Sequence, residues 1–136
     1  MTTDDANVRF LNPPELAPAP GYTHVVEATG GRTIYVSGQI ALDRSGEVVG
    51  EGDLEAQARQ VFENLKAALA STGAGFGDVV KLGYYLTDIS QIAAVRGVRD
   101  EYVDTDNPPA STAVEVRRLF REELLIEVEA VAVIQS

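Results

Sequence analysis

Residues 108–133 read PPASTAVEVRRLFREELLIEVEAVAV, two strand-like runs joined by a charged turn. The first run is Ala113-Val114-Glu115-Val116, and the second extends from Leu125 to Val133. Within the second, Glu127 and Glu129 alternate with apolar residues. Strand side chains point alternately to opposite faces, so this segment has one face for a core and one bearing carboxylates. A carboxylate row needs solvent, cationic partners or a function. Arg117 and Arg118 are placed to balance it from the neighbouring run, and Glu122-Glu123 reads as a solvated turn.

Upstream, the pattern is mixed. Val8–Leu11 reads as a short edge strand, broken by Asn12-Pro13-Pro14 and by the loop Pro18–Gly21. Residues 22–29 and 32–40 look like a hairpin around Gly30-Gly31. Residues 53–72 form the plainest helix, because Leu54, Ala58, Val61, Phe62, Leu65, Ala68 and Leu69 recur on one stripe. Asp53 serves as its N-cap and Gly73 as its stop. Residues 79–87, VVKLGYYLT, return to strand. A second helix is predicted over 90–103, capped by Asp88 or Ser90, with Ile92, Val95 and Tyr102 inward. The order β-β-β-α-β-α-β-β predicts an α+β domain, one sheet of about six strands with two helices on one face.

Length and composition narrow the classes. A chain of 136 residues makes a single domain, residues 1–136, and buries roughly 68% of its unfolded surface. It has no cysteine, which excludes disulfides, zinc–thiolate sites and thiol nucleophiles. That absence, and an acidic start at Met1–Asp5 without an apolar core, predict a cytoplasmic protein with no signal peptide. No apolar run is long enough for a membrane helix. The net charge of −10 repels phosphate backbones and anionic lipid, arguing against nucleic acid and membrane as partners.

Two motifs invite chemistry and fail on order. Residues 73–77, GAGFG, follow a helix and precede a strand, whereas a phosphate-cradling loop needs the reverse, so this is a turn. Asp104 and Asp106 suggest a calcium loop but lack its downstream pattern. One histidine and scattered carboxylates do not make a metal site, and none is expected.

Several segments taken together carry a family likeness. They are YVSGQI at 35–40, GDLEAQAR at 52–59 leading to NLK at 64–66, GDVVK at 77–81, VEV at 114–116 and IEVEAVA at 126–132. On these the chain resembles the YjgF/YER057c/UK114 proteins, the Rid (reactive intermediate deaminase) family, over nearly its whole length. The resemblance implies a chorismate-mutase-like fold. It also implies a homotrimer whose sheets line a central β-barrel, with small-molecule ligands in intersubunit clefts. Active members hydrolyse enamines and imines derived from amino acids to a 2-oxo acid and ammonia, without metal or organic cofactor. In a Pro-Ala-Arg-Ser motif the arginine grips the substrate carboxylate, for which a guanidinium offers a bidentate fork.

Here that motif reads Pro109-Ala110-Ser111-Thr112, so Ser111 stands where the arginine would be. A hydroxyl can hydrogen-bond a carboxylate but cannot neutralise it, a loss of about 1.5–3 kcal/mol. By resemblance, Glu127 holds the attacking water as the catalytic carboxylate, and Tyr22, Ser37, Gly38 and Ala113 line the pocket. Arg96 replaces a frequent asparagine on the second helix and His24 a frequent glutamine. Each has a plainer reading. His24 could be a surface residue and Tyr22 a packing residue. Arg96 could pair with Asp100 at i,i+4, Glu127 with Arg117 or Arg118, and Ser37 could simply satisfy backbone. The functional classes are a deaminase of altered range and a non-catalytic metabolite-binding trimer. Third is an endoribonuclease, a label some relatives carry, which the charge of −10 opposes.

Overall fold

The structure is a computed structural model that describes residues 7–135; the expectation drawn from Met1–Asp5 lies outside the described residues. The six strands and two helices are β1 Val8–Leu11, β2 Val25–Ala28, β3 Arg32–Ile40, α1 Leu54–Ala70, β4 Val79–Leu86, α2 Ile92–Arg99, β5 Ala110–Glu115 and β6 Ile126–Ile134.

Four strands form a mixed sheet in the order β3-β6-β4-β5. β6 is antiparallel to both β3 and β4, while β5 runs parallel to β4. The hairpin expected around Gly30-Gly31 does not pair its own arms. β2 pairs instead with β1, Val8 opposite Ala28 and Leu11 opposite Val25, and β3 is taken by β6. Both glycines adopt positive φ, 70° and 78°, so the chain turns there into a different ribbon.

α1 forms for the reasons read in the sequence. The Asp53 carboxylate accepts the Ala56 N–H at 3.1 Å, capping the first turn. Ala58, Val61, Phe62, Leu65 and Leu69 are fully buried, each worth about 1.5–3 kcal/mol for the larger side chains. α1 packs on β3 and β6, and α2 packs on α1. α2 is shorter than the predicted 90–103: a 3-10 turn over Ile89–Gln91 precedes it, with Asp88 accepting the Ser90 N–H at 3.1 Å. The chain leaves the helix after Arg99 because Tyr102 turns back to stack on Phe62, ring centroids 5.3 Å apart.

Gln57, wholly buried, ties α1 to two loops. Its Nε2 donates to the Gly50 and Glu123 carbonyls at 3.2 and 2.9 Å, and its Oε1 accepts the Leu125 N–H at 2.8 Å. It thereby sets where β6 begins.

The sheet has two unlike faces. Leu82, Tyr84 and Leu86 of β4 align with Ala130, Val128 and Ile126 of β6, and all are buried towards the helices. Tyr85 aligns with Glu127 and Gly83 with Glu129 on the other face. There Tyr35 is 80% exposed. In this single chain that face is uncovered.

Candidate functional site

Ser111 aligns with Leu82 and Ala113 with Tyr84 across the parallel pair. Aligned residues share a face, so both β5 side chains point to the helical side. A cavity of about 230 Å³ opens there, lined by Pro20, Tyr22, Tyr84, Arg96, Ser111 and Ala113, with Ile92, Val95 and Arg99 completing the wall. At about 30 Å³ of liquid volume per water, it holds roughly eight water-sized groups, the scale of a small metabolite.

Tyr22 reaches the cavity because its neighbour is anchored. Thr23 is buried; its hydroxyl donates to the Pro108 carbonyl and its N–H to the Pro109 carbonyl, the latter at 3.3 Å. The loop is thus fastened to the entry of β5. His24 meets the Tyr22 ring edge-on at 5.3 Å and 80°. Its Nε2 lies 2.7 Å from the Ala17 carbonyl, so that nitrogen carries the proton and donates. His24 backs Tyr22 and is not part of the cavity wall.

Arg96 lines the cavity and is otherwise exposed. It does not take the Asp100 carboxylate. Asp100 Oδ1 accepts instead from Arg99, Nε at 3.1 Å and Nη2 at 2.8 Å. Arg99 is only 7% exposed. The Tyr84 hydroxyl, also buried, has no hydrogen-bond partner of full geometry. Burial pushes its pKa well above the ordinary phenol value, and the nearby Arg99 charge opposes that rise. The Ser111 hydroxyl reaches only the Pro109 carbonyl, at 3.5 Å.

Glu127 and Gly38 lie elsewhere. Glu127 aligns with Ile40 and Tyr85 on the uncovered face. Its carboxylate rests on Gly38 so closely that a Cβ there would stand 2.7 Å from Cδ. No ion pair joins Glu127 to Arg117 or Arg118 among the described residues. Ser37 is exposed in a shallow hollow with Lys81 and Glu129. Glu129 accepts the Tyr85 hydroxyl at 2.8 Å, which raises the pKa of that phenol. Within one chain, then, Tyr22, Arg96, Ser111 and Ala113 share a cavity. Gly38 and Glu127 form a separate group across the sheet, and Ser37 and His24 join neither.

Besides the apolar Pro20, Ile92 and Val95, two polar cavity residues were not among the expected site residues. Arg99 follows Arg96 by three positions, one helical turn on, which puts both on neighbouring faces. Tyr84 alternates with Leu82 and Leu86 and so had to face the helices. Among the described residues no group of histidine and carboxylate side chains could hold a metal ion. No helix of the described residues is long and apolar enough to cross a membrane.

The fold and sequence have clear relatives. The Endoribonuclease L-PSP family model matches residues 13–134. A RutC family protein of Synechocystis is 40% identical over 123 residues, 88% of this chain and 92% of that protein. A 2-iminobutanoate/2-iminopropanoate deaminase of Salmonella typhimurium is 37% identical over 121 residues, 88% of this chain and 93% of the enzyme. The crystal structure of a Rid family protein of unknown function from Yersinia pestis superposes with a TM-score of 0.84 at 37% identity, covering 94% of this chain and 99% of that one. With the family's segments present over both the sheet and the helices, the chain belongs to the YjgF/Rid family, described also as Endoribonuclease L-PSP.

Proposed function

We propose that this protein is a cofactor-independent deaminase of reactive imines and enamines, with a substrate range altered by Ser111. The observation that carries this reading is the cavity shared by Tyr22, Arg96, Ser111 and Ala113, in a chain 37% identical to a 2-iminobutanoate/2-iminopropanoate deaminase. Water adds to the imine carbon, and the Glu127 carboxylate accepts the water's proton. That proton is returned to nitrogen, giving an adduct with a hydroxyl and an amino group; the hydroxyl proton then passes to the amine as the C–N bond breaks, leaving a carbonyl and ammonia. Glu127 and Ser111 face opposite sides of one sheet. One chain's cavity therefore meets Glu127 only at the border with another copy, which supports a homotrimer with clefts between subunits.

The second reading is a metabolite-binding trimer without turnover. The serine in the arginine's place favours it, because a carboxylate held loosely is poorly oriented for attack. An endoribonuclease fits least, since a net charge of −10 opposes approach of a phosphate backbone.

The test is release of ammonia and ketone from imines generated in situ, with and without a carboxylate, and with no metal or cofactor added. Turnover above the uncatalysed rate that is lost in Glu127→Gln supports the deaminase. Absence of turnover on every imine, with product ketones or oxo acids still bound, favours the binding protein.

A further inference from the structure

Two of the chain's cations converge on one small cavity. Arg96 and Arg99 sit one turn apart at the end of α2 and both line the wall opposite β5. Their settings differ. Arg96 is exposed and has no carboxylate partner among the described residues. Arg99 is 7% exposed, and its one carboxylate partner among the described residues, Asp100, is engaged through a single oxygen. A guanidinium has five N–H donors, so the Asp100 contact leaves most of them unused. A buried cation so sparsely met is costly unless something else satisfies it.

The Tyr84 hydroxyl makes a second, independent observation. It lies at the same wall, 4% exposed, and has no hydrogen-bond partner of full geometry; the Arg99 guanidinium beside it can donate to its oxygen, which leaves its O–H free to donate. Burial keeps it protonated, so it is available as a donor. Buried polar groups are almost always satisfied, and an orphan beside a cavity asks for a ligand. Gly21 lets the 20–22 loop close over this corner: its φ is +79°, and a Cβ there would come within 3.0 Å of Arg99 Nη2.

We propose that Arg96, Arg99 and the Tyr84 hydroxyl form an anion subsite on the α2 wall, which takes the carboxylate end of a small-molecule ligand. The geometry suits a carboxylate. Two guanidiniums offer donors only and the neutral phenol adds an O–H that can donate, and the one carboxylate nearby already belongs to Arg99. The cavity of about 230 Å³ has room for a small acid beside it. Its anchor is displaced from β5, where Ser111 offers a hydroxyl alone, to the opposite wall. A ligand held there presents its carbonyl or imine carbon further from its carboxylate than a 2-iminoacid does. The subsite thus names the substrate class within the proposed deaminase reading, on which it rests for turnover but not for binding.

The experiment is equilibrium titration of the intact protein by calorimetry. The probes are 2-oxobutanoate, 4-oxopentanoate, the uncharged 2-butanone and inorganic phosphate. Wild type is expected to bind 4-oxopentanoate more tightly than 2-oxobutanoate, and to bind 2-butanone at least tenfold more weakly than either. Arg96→Ala and Tyr84→Phe should each weaken oxo-acid binding by about tenfold, a loss expected for one charge-assisted or buried hydrogen bond. Arg44→Ala, an exposed cation outside the cavity, should leave it unchanged. Tyr84→Phe separates the subsite from a packing role, because removing an orphan hydroxyl alone should not lower the melting temperature. Equal affinity of wild type and both variants for the oxo acids, or no preference for carboxylate over 2-butanone, would overturn the subsite. So would phosphate binding more tightly than either acid. Oxo-acid binding that depends on Arg96, with no imine turnover, would defeat the deaminase reading alone. Turnover with arginine-independent binding would defeat the subsite alone.

Discussion

Ser111 and Glu127 lie on opposite faces of the same sheet. Ser111 aligns with Leu82, which is buried under the helices, and Glu127 aligns with Tyr85 on the uncovered side. Leu82 and Tyr85 are three apart on one strand, so their side chains diverge. No rotamer change brings Ser111 and Glu127 together within a chain. A site that uses both has to be assembled from two copies.

That arrangement predicts complementation. Glu127→Gln damages one wall of each cleft and Arg96→Ala the other. Separately each variant should lose most of its activity. Co-expressed, they should form mixed assemblies in which some clefts carry both intact walls, and activity should reappear at a fraction of wild type. Failure of co-purified mixed assemblies to regain any turnover would place the site within one subunit.

Gly38→Ala should displace Glu127. The added Cβ would meet the far end of that side chain, 2.7 Å from Cδ, which can swing away, so folding should survive while the carboxylate moves. Circular dichroism and melting temperature should change little. Turnover should fall as far as in Glu127→Gln. A Gly38→Ala protein with full activity would show that the Glu127 position is unimportant.

Gln57→Ala should destabilise the fold by about 2–3 kcal/mol, since it leaves the Leu125 N–H and the Gly50 and Glu123 carbonyls without their partner in a buried setting. Urea unfolding at unchanged m-value measures this directly. A loss under about 0.5 kcal/mol would mean that water replaces the side chain.

Tyr102 predicts an alkaline limit to stability. Burial first, and the Glu63 carboxylate accepting its hydroxyl at 2.7 Å second, push its pKa up to about 12, against about 10 in an unfolded chain. The folded state holds the proton more tightly, so this stabilisation is complete below about pH 10 and is lost as pH rises towards 12. The melting temperature should fall over that window, and less steeply in Tyr102→Phe. Parallel curves for the two proteins would remove Tyr102 from the account.

Much of this was legible in the sequence, and the failures have physical causes. The α1 stripe and its Asp53 cap are local signals, and both hold. Ser111 could be singled out because the residues around it, Pro109-Ala110 and Val114-Glu115-Val116, resemble the family's motif. The pairing of β2 with β1 could not, because Gly30-Gly31 permits a hairpin and only long-range competition from β6 decides against it. Arg99 was missed because a charged residue in a last helical turn ordinarily faces solvent; its burial comes from the 20–22 loop, held over it by Thr23 and the Pro108 carbonyl. Arg96 and Asp100 have the spacing of an ion pair, but Arg99 takes that carboxylate first. Ser37, Glu127 and Ser111 do not meet within one chain, and the sequence could not show this because family positions carry no information about which face of a sheet they share.

The most direct measurement is kcat/KM for hydrolysis of 2-iminobutanoate by wild type and by Ser111→Arg, with 4-iminopentanoate beside it. Without a guanidinium on β5, wild type should favour 4-iminopentanoate. Ser111→Arg should raise kcat/KM for 2-iminobutanoate at least tenfold, about 1.4 kcal/mol of transition-state stabilisation. Wild-type turnover of 2-iminobutanoate that exceeds that of 4-iminopentanoate and is not raised by Ser111→Arg would contradict the claim that Ser111 alters the substrate range.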